Sequence, residues 1–211
     1  TTSSVICKVK MTGRSDGINM QDCSGISIVD SILRDQATLC LGNSNNNVVS
    51  NNDISNHSYR GLDTGSGYNN IVSGNTFVGN GYAVAPFREG ASGGNVIVSN
   101  NFTGNDNKPI VFYNSSINLQ NWDNNFSEMY LCNADYSNIN NITIAGSDSL
   151  NNNGLFVYMT NSSNLTSINS NNNTYGISLY SSSNNQLNNI TSNNNTYGIY
   201  LYSSSNNQLN N

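Results

Sequence analysis

A 16-residue stretch near the end of the sequence occurs twice, 22 residues apart. Residues 174–189 read Thr-Tyr-Gly-Ile-Ser-Leu-Tyr-Ser-Ser-Ser-Asn-Asn-Gln-Leu-Asn-Asn, and residues 196–211 differ only in having Tyr200 in place of Ser178. A fixed period of this length indicates stacked supersecondary units. The unit lacks a 3.6-residue period and is rich in poor helix formers. Its short alternating apolar runs predict one turn of a parallel β-solenoid, in which each strand pairs with its equivalent in the next turn.

A weaker form of this repeat extends back through the chain as a small residue followed by an apolar-x-apolar run. Successive occurrences are 19 to 26 residues apart, because insertions in a solenoid fall in loops while the strands keep register. Their first apolar residues are Ile18, Leu39, Leu62, Val84, Ile110, Met129, Leu155, Ile177 and Ile199. We therefore predict one all-β domain over residues 1–211, with about nine turns of ~22 residues and no globular caps. The repeats are clearest in 154–211.

A second apolar column is predicted from apolar residues six positions apart, with a polar residue between them. The apolar pairs are Ile26 and Ile32, Val48 and Ile54, Ile71 and Phe77, and Val96 and Phe102. The polar residues are Asp30, Asn52, Asn75 and Asn100. We expect these polar side chains to form a hydrogen-bonded ladder along the solenoid. An earlier turn is predicted to match Val5, Cys7 and Met11 with Ile26, Ile28 and Ile32, which places Cys7 in the core.

The stretch Tyr197–Asn207, Tyr-Gly-Ile-Tyr-Leu-Tyr-Ser-Ser-Ser-Asn-Asn, resembles the repeats of NosD-like proteins. The resemblance is strong over 154–211 and continues more weakly from about residue 17 to 153. It implies a single-stranded right-handed parallel β-helix, a fold shared with carbohydrate-binding proteins and sugar hydrolases and abundant on archaeal and bacterial surfaces. It implies no single function, since the same scaffold carries lyases, hydrolases, adhesins and structural proteins.

The composition points to an extracellular or cell-surface location. Charged residues make up only 9% and the net charge is −5, so a basic patch for nucleic acid is absent. No apolar run approaches the ~20 residues of a membrane span. The chain has no initial Met or signal peptide, so we expect a mature or excised fragment. Sequons for N-glycosylation begin at Asn56, Asn101, Asn114, Asn125, Asn141, Asn161, Asn164, Asn172, Asn189 and Asn194.

An aromatic ladder is the first candidate interaction surface. Alternation along the motif strands predicts that its members face solvent. They are Tyr113, Tyr130, Phe156, Tyr158, Tyr180, Tyr200 and Tyr202. Three interpretations stay open: the rings stack on each other from turn to turn, they form a protein interface, or they bind a glycan.

A cluster of ionisable residues is the candidate catalytic site. Its members come from successive turns and are Asp35, His57, Arg60, Asp63, Arg88 and Glu89. Glycoside hydrolysis needs two carboxylates ~5–10 Å apart, which Asp63 could provide with Asp35 or Glu89. A lyase would use Arg60 or His57 as its base. The Asn-Thr-Asp, Asp-Asp and Gly-His-Gly elements of polygalacturonase-like enzymes are absent, and salt bridges between turns would explain the same residues.

No cofactor or metal site is predicted. The four cysteines contain no Cys-x-x-Cys pair, which argues against zinc, and one histidine with scattered methionines does not make a copper site. The calcium-binding nonapeptide of β-rolls is also missing. Cys23 and Cys40 lie one turn apart and are a candidate disulfide, whereas Cys132 is predicted to face outward and to be available for an intermolecular bond.

The leading functional interpretation is a non-catalytic extracellular or cell-surface protein with a structural or adhesive role. It would self-associate, end to end into filaments or a surface layer or else laterally, or it would contact a surface polysaccharide. The first alternative is a polysaccharide lyase or glycoside hydrolase acting near Arg60 and Asp63. The second is a glycan-binding module that uses the aromatic ladder.

Overall fold

The computed structural model describes residues 4–13, 17–35, 37–58, 60–65, 67–80, 82–85, 96–98, 101–103, 108–123, 126–146 and 153–211. Across these ranges the chain forms β-strands and no helix, and so contains no helix that is long and apolar enough to cross a membrane. It divides into two compact units, unit 1 (Thr1–Asn107) and unit 2 (Lys108–Asn211). The single domain over residues 1–211 stays a prediction.

Unit 1 is built from three parallel sheets. Its strands are β1 (Ser4–Cys7), β2 (Lys10–Thr12), β3 (Ile18–Gln21), β4 (Ile26–Val29), β5 (Ile32–Arg34), β6 (Leu39–Gly42), β7 (Val48–Ser50), β8 (Asp53–Ser55), β9 (Arg60–Asp63), β10 (Ile71–Ser73), β11 (Thr76–Val78), β12 (Tyr82–Ala85), β13 (Val96–Val98) and β14 (Asn101–Thr103). The sheets have the orders β3-β6-β9-β12, β1-β4-β7-β10-β13 and β2-β5-β8-β11-β14. Each strand therefore pairs with the third strand after it along the chain, as successive turns of a solenoid require.

Unit 2 is built from two parallel sheets with longer strands. Its strands are β15 (Ile110–Tyr113), β16 (Asn118–Asp123), β17 (Glu128–Cys132), β18 (Asn138–Ala145), β19 (Asn153–Tyr158), β20 (Asn164–Asn171), β21 (Tyr175–Tyr180), β22 (Gln186–Asn188), β23 (Tyr197–Tyr202) and β24 (Gln208–Asn210). The first sheet has the order β15-β17-β19-β21-β23 and the second the order β16-β18-β20-β22-β24. Each strand therefore pairs with the second strand after it along the chain, so that one turn contributes one strand to each sheet.

The predicted parallel β-solenoid is confirmed. It has about eight turns, whereas about nine were predicted. Each of the nine motif residues lies in a strand of a first sheet, that is β3, β6, β9, β12, β15, β17, β19, β21 or β23. Leu155 pairs with Ile177 and Ile177 with Ile199, so the interior column is continuous as predicted. Burial of a fully buried member such as Leu155 or Ile177 contributes about 1.5–3 kcal/mol.

The second apolar column was predicted correctly at Ile54 and Phe77, which are fully buried and pair with each other. Its other members were predicted one residue out of register, since Leu33 rather than Ile32 pairs with Ile54. Val49 and Val72 are fully buried in place of Val48 and Ile71, and Ile71 is 43% exposed. A shift of one residue turns every side chain of a strand to the other face. The first turn shows the same shift: Ile6 pairs with Ile28 and Met11 with Leu33. Cys7 is consequently exposed rather than in the core.

The asparagine ladder is confirmed at Asn52 and Asn75. Asn52 donates both its backbone N–H and its side-chain Nδ2–H to Asn75 Oδ1, each at 2.9 Å. The residue one turn earlier is Ser31, whose N–H donates to Asn52 Oδ1, so the placement of Asp30 in the ladder was wrong. Asp30 is instead a turn residue with φ of 50°. Asn100 lies outside the described residues.

Gly176 is required by close packing between turns. A Cβ at this position would lie 2.1 Å from Ser192 Oγ and 2.6 Å from the carbonyl oxygen of Gly198, whereas a Cβ at the equivalent Gly198 would meet nothing closer than 3.6 Å. We expect Gly176→Ala to lower the free energy of unfolding by about 1–3 kcal/mol through overpacking. Gly198→Ala is the matched control and should be nearly neutral. Equal effects in urea titrations of the two variants would contradict this packing argument.

Candidate functional site

The aromatic ladder of unit 2 is mainly a self-stacked structure. Phe112 and Tyr130 have ring centroids 6.3 Å apart, Tyr130 and Phe156 5.5 Å, and Phe156 and Tyr180 5.2 Å. The prediction that Tyr130, Phe156 and Tyr158 face open solvent is wrong, because all three are buried. Tyr113 is half-buried. Each ring stacked along the strands covers its neighbour and removes apolar area from water.

Ser178 interrupts the ladder, and Tyr180 fills the gap. Ser178 pairs with Phe156 on one side and Tyr200 on the other, so its small side chain leaves no ring between them. The Tyr180 ring lies 5.2 Å from Phe156 and 5.5 Å from Tyr200. Ser178 is fully buried, and its Oγ has no hydrogen-bond partner in the described part of the chain. The one difference between the two 16-residue repeats therefore has a structural consequence.

Five tyrosines at β21 and β23, here called the tyrosine patch, form an aromatic cluster that reaches solvent. They are Tyr175, Tyr180, Tyr197, Tyr200 and Tyr202. Tyr197 is 49% exposed and the other four are half-buried. Tyr175 and Tyr197 stack with centroids 4.9 Å apart and planes 13° apart. Tyr200 meets both edge-on at 62°, so the patch presents ring faces and ring edges together.

Alternation along the motif strands predicted Tyr180, Tyr200 and Tyr202 in this surface but not Tyr175 and Tyr197. These two precede the motif glycines and lie outside the positions used for the prediction, whereas strands β21 and β23 begin with them. The signal that could have found them is the Tyr-Gly pair, which both repeats share. Repetition of a tyrosine at a turn would bring no stacking contact, whereas a tyrosine on a strand stacks on the equivalent tyrosine of the next turn.

The tyrosine patch lies on a long stretch of sequence without charged residues. From Ser149 to Asn211 the chain contains no Asp, Glu, Lys, Arg or His. Ser, Asn, Thr and Tyr dominate this stretch instead. Rigid tyrosines surrounded by adaptable small polar side chains are also the composition of antibody contact surfaces, where Tyr supplies contact area at a low cost in entropy. The patch is therefore suited to an uncharged partner.

A buried polar cluster lies at the start of strands β17 and β19. Glu128 Oε2 accepts hydrogen bonds from Tyr130 Oη at 2.9 Å and from the N–H of Asn153 at 3.2 Å. Asn153 Nδ2 donates in turn to Tyr130 Oη at 3.2 Å. Burial raises the pKa of Glu128 to about 8, against the opposing effect of these hydrogen bonds. Glu128 was not predicted as a site residue, since an acid one residue before an apolar run is ordinarily exposed.

The candidate catalytic residues of unit 1 mostly have structural partners. Arg60 forms an ion pair with Asp63, and Asp63 Oδ1 accepts the N–H of Gly65 at 2.8 Å. Asp35 is an exposed turn residue with φ of 56°. Arg88 and Glu89 lie outside the described residues. A separate ion pair joins Arg34 to Asp53 in the neighbouring turn.

His57 is a corner residue of the solenoid. It is fully buried, and both its backbone N–H and its Nδ1 lie within hydrogen-bond distance of Asn80 Oδ1, at 3.1 and 2.8 Å. Nε2 has no partner among the described residues. Burial lowers the pKa of His57, although the Asp35 charge opposes this. His57 thus occupies the position that asparagine holds in other ladders.

The cysteines differ from their predicted positions. Cys132 is buried rather than outward, and this burial raises its pKa well above the usual value. Cys23 Sγ donates to the carbonyl oxygen of Gln21, and the Cys23–Cys40 disulfide is not formed. Cys132 is buried because β17 is buried along its whole length, and register pairs Cys40 with Asn19 rather than with Cys23.

The glycosylation sequons lie largely at exposed turns. Asn161 is half-buried, Asn125 lies outside the described residues and the side chain of Asn101 is not described. The exposed sites are Asn56, Asn114, Asn141, Asn164, Asn172, Asn189 and Asn194. Glycosylation at these sites stays a prediction.

Comparison with known proteins supports the fold and is silent on the site. The model of the family described as "right handed beta helix region" matches residues 1–126, more than half of the chain. No curated protein matches the sequence. The matched residues include all of unit 1, with its repeating parallel strands, and the first strands of unit 2. The chain belongs to the right-handed β-helix family.

Proposed function

We propose that this chain is a non-catalytic extracellular or cell-surface β-helix protein with an adhesive role, and that the tyrosine patch is its contact surface. The observation that carries the proposal is the patch itself: five tyrosines in mutual contact on a 63-residue stretch without charge, 149–211. Contiguous exposed apolar area of this kind marks interaction sites. The resemblance of Tyr197–Asn207 to NosD-like surface repeats supports the proposed location.

The partner that fits best is a neutral surface polysaccharide. Tyrosine rings pack against the C–H faces of sugars, while their hydroxyls and the neighbouring Ser and Asn side chains exchange hydrogen bonds with sugar hydroxyls. An uncharged surface gives a charged polymer no electrostatic attraction. Self-association through the same patch, or end to end into filaments, is the other partner class that this proposal admits.

The test compares neutral and acidic polysaccharides as ligands. We expect the full chain to be retarded in affinity electrophoresis by a neutral β-glucan or mannan and not by pectate. A combined Tyr197→Ser, Tyr200→Ser variant should lose roughly 5- to 150-fold in affinity, since each aromatic contact contributes roughly 0.5–1.5 kcal/mol. Tyr68→Ser is the matched control, because Tyr68 is also exposed but lies in unit 1.

Unchanged retardation of the double variant would remove the patch from the proposal. Concentration-dependent sedimentation of the native chain, abolished in the double variant, would assign the patch to self-association instead. Loss of binding in Tyr68→Ser as well would indicate a general defect in folding.

A polysaccharide lyase or hydrolase near Arg60 and Asp63 is the competing proposal. The ion pair gives Arg60 and Asp63 a structural role that needs no catalysis. Burial at a corner of the solenoid does the same for His57. Comparison of the native chain with Asp63→Ala on a broad panel of acidic and neutral polysaccharides separates the two proposals. Turnover by the native chain that Asp63→Ala abolishes would establish the enzyme.

A further inference from the structure

Two tyrosines of unit 2 stack on each other across neighbouring turns. Tyr175 and Tyr197 occupy the same position in successive turns, since β21 and β23 pair them in register. Their ring centroids are 4.9 Å apart and their planes 13° apart. Nearly parallel rings at this distance place the ortho carbons of one phenol beside those of the other. Two phenoxyl radicals held in this arrangement need only small rotations of their side chains to form a carbon–carbon bond.

The other three tyrosines of the patch keep all five rings in continuous contact. Tyr200 lies edge-on to Tyr175 and Tyr197, with centroids 5.4 and 6.0 Å away. Tyr180 lies 5.5 Å from Tyr200 and 5.4 Å from Tyr202. A ring that has lost an electron can therefore take one from a ring in contact with it. Oxidation at any member of the patch consequently reaches the stacked pair.

The sequence around this pair offers neither of the usual covalent links between turns. From Ser149 to Asn211 it contains no Cys for a disulfide and no Lys for an isopeptide bond. Tyrosine is the side chain of this stretch whose one-electron oxidation product couples with its own kind. Tyr175 is half-buried although it pairs with Asn153 on one side and Tyr197 on the other. Its access to solvent therefore does not require an open side of the stack.

We propose that Tyr175 and Tyr197 form an oxidative cross-linking site, at which a dityrosine bond joins two successive turns. The oxidant is hydrogen peroxide used by a peroxidase, which removes one electron at a time. Each phenol gives up one electron and its hydroxyl proton, and the two radicals form a bond between ortho carbons. The hydrogens on those carbons move to the oxygens and restore both phenols. One hydrogen peroxide takes up the two electrons and two protons and becomes two waters.

The cross-link would act as a staple between turns that are otherwise held by non-covalent contacts. It closes a loop of 22 residues, the length of one repeat. A covalent loop restricts the unfolded chain more than the folded chain, in which the two rings are already together. The cross-linked chain should therefore unfold at a higher urea concentration than the untreated chain. This inference does not rest on the proposed adhesive function, because the coupling of the rings needs no polysaccharide.

The test oxidises the full chain at low protein concentration with a peroxidase and hydrogen peroxide. We expect a monomer with dityrosine fluorescence, and a peptic digest in which tandem mass spectra join residue 175 to residue 197 with the loss of two hydrogens. Tyr197→Phe should lose most of this fluorescence, because phenylalanine keeps the stack but forms no phenoxyl radical. The matched control is Tyr136→Phe, which should leave the yield unchanged, because Tyr136 is 75% exposed but does not belong to the tyrosine patch.

The digest of the native chain tests the site without any variant, since a cross-link between another pair of tyrosines would overturn the assignment. A cross-link that persists undiminished in Tyr197→Phe would overturn it too. Dityrosine found only in dimers, and lost in Tyr136→Phe, would show that exposure rather than stacking governs the coupling. A cross-linked monomer with an unchanged urea midpoint would overturn the role as a staple.

Discussion

Replacement of Asn75 by alanine is expected to lower the free energy of unfolding by roughly 2–4 kcal/mol. Asn75 is buried, its Oδ1 accepts two hydrogen bonds from Asn52, and its Nδ2 donates to the carbonyl oxygen of Val49 at 2.9 Å. Alanine would leave the buried N–H of Asn52 and this carbonyl group without those partners. Each unsatisfied group costs about 1–3 kcal/mol, whereas an exposed hydrogen bond contributes less.

Asn19→Ala is the matched control for this prediction. Asn19 lies in β3 of the same unit, but its side chain is exposed, so its removal should change stability by less than about 0.5 kcal/mol. Urea unfolding monitored by far-ultraviolet circular dichroism measures both variants. Equal destabilisation by the two substitutions would show that the ladder contributes no more than an ordinary surface asparagine.

The stability of unit 2 should fall as the pH rises from about 4.5 towards 8. The pKa of Glu128 is about 8 in the folded chain, against a usual value of 4.5, because its carboxyl group is buried. Between these values the folded chain holds a proton that the unfolded chain has released. The free energy of unfolding therefore decreases with pH in this window, by at most about 1.4 kcal/mol per pH unit from this group.

Glu128→Gln should remove that slope and make unit 2 more stable than the native chain above pH 8. The glutamine oxygen can still accept from Tyr130 Oη and from the N–H of Asn153, and the side chain stays neutral at every pH. Asp123→Asn is the control, since it removes an exposed negative charge from β16. Urea midpoints measured from pH 5 to 9 test this. A slope that survives in Glu128→Gln, or disappears in Asp123→Asn, would contradict the assignment.

The fold could be predicted from the repeat, whereas the register of the first strand in the second column could not. Period and glycine positions fix the strands of the first sheets, because only one alternation places Leu155, Ile177 and Ile199 together inside. In the second column two apolar residues adjoin, as in Val48-Val49 and Ile71-Val72. Both registers then look apolar, so the sequence gives no alternation to decide between them. Pairing with Ile28 decides it.

The contact surface was predicted only in part, and the reason is side-chain size. Alternation correctly places Tyr130 and Phe156 on the outer side of the first sheet, but it says nothing about what covers them. Large rings 5–6 Å apart cover each other, so facing outward is not the same as being exposed. Tyr197, by contrast, is 49% exposed although its ring stacks on that of Tyr175. The Glu128 cluster depends on contacts between turns that no local pattern encodes.

The most direct test of the proposed contact surface is nuclear magnetic resonance of the full chain with labelled tyrosine rings during titration with neutral β-glucan or mannan oligosaccharides. We expect ring signals of Tyr197, Tyr200 and Tyr202 to shift, while those of Tyr68 and Tyr136, which are also exposed, stay unchanged. Shifts of the same size at Tyr68 and Tyr136, or no ring shifts at saturating oligosaccharide, would contradict the proposal.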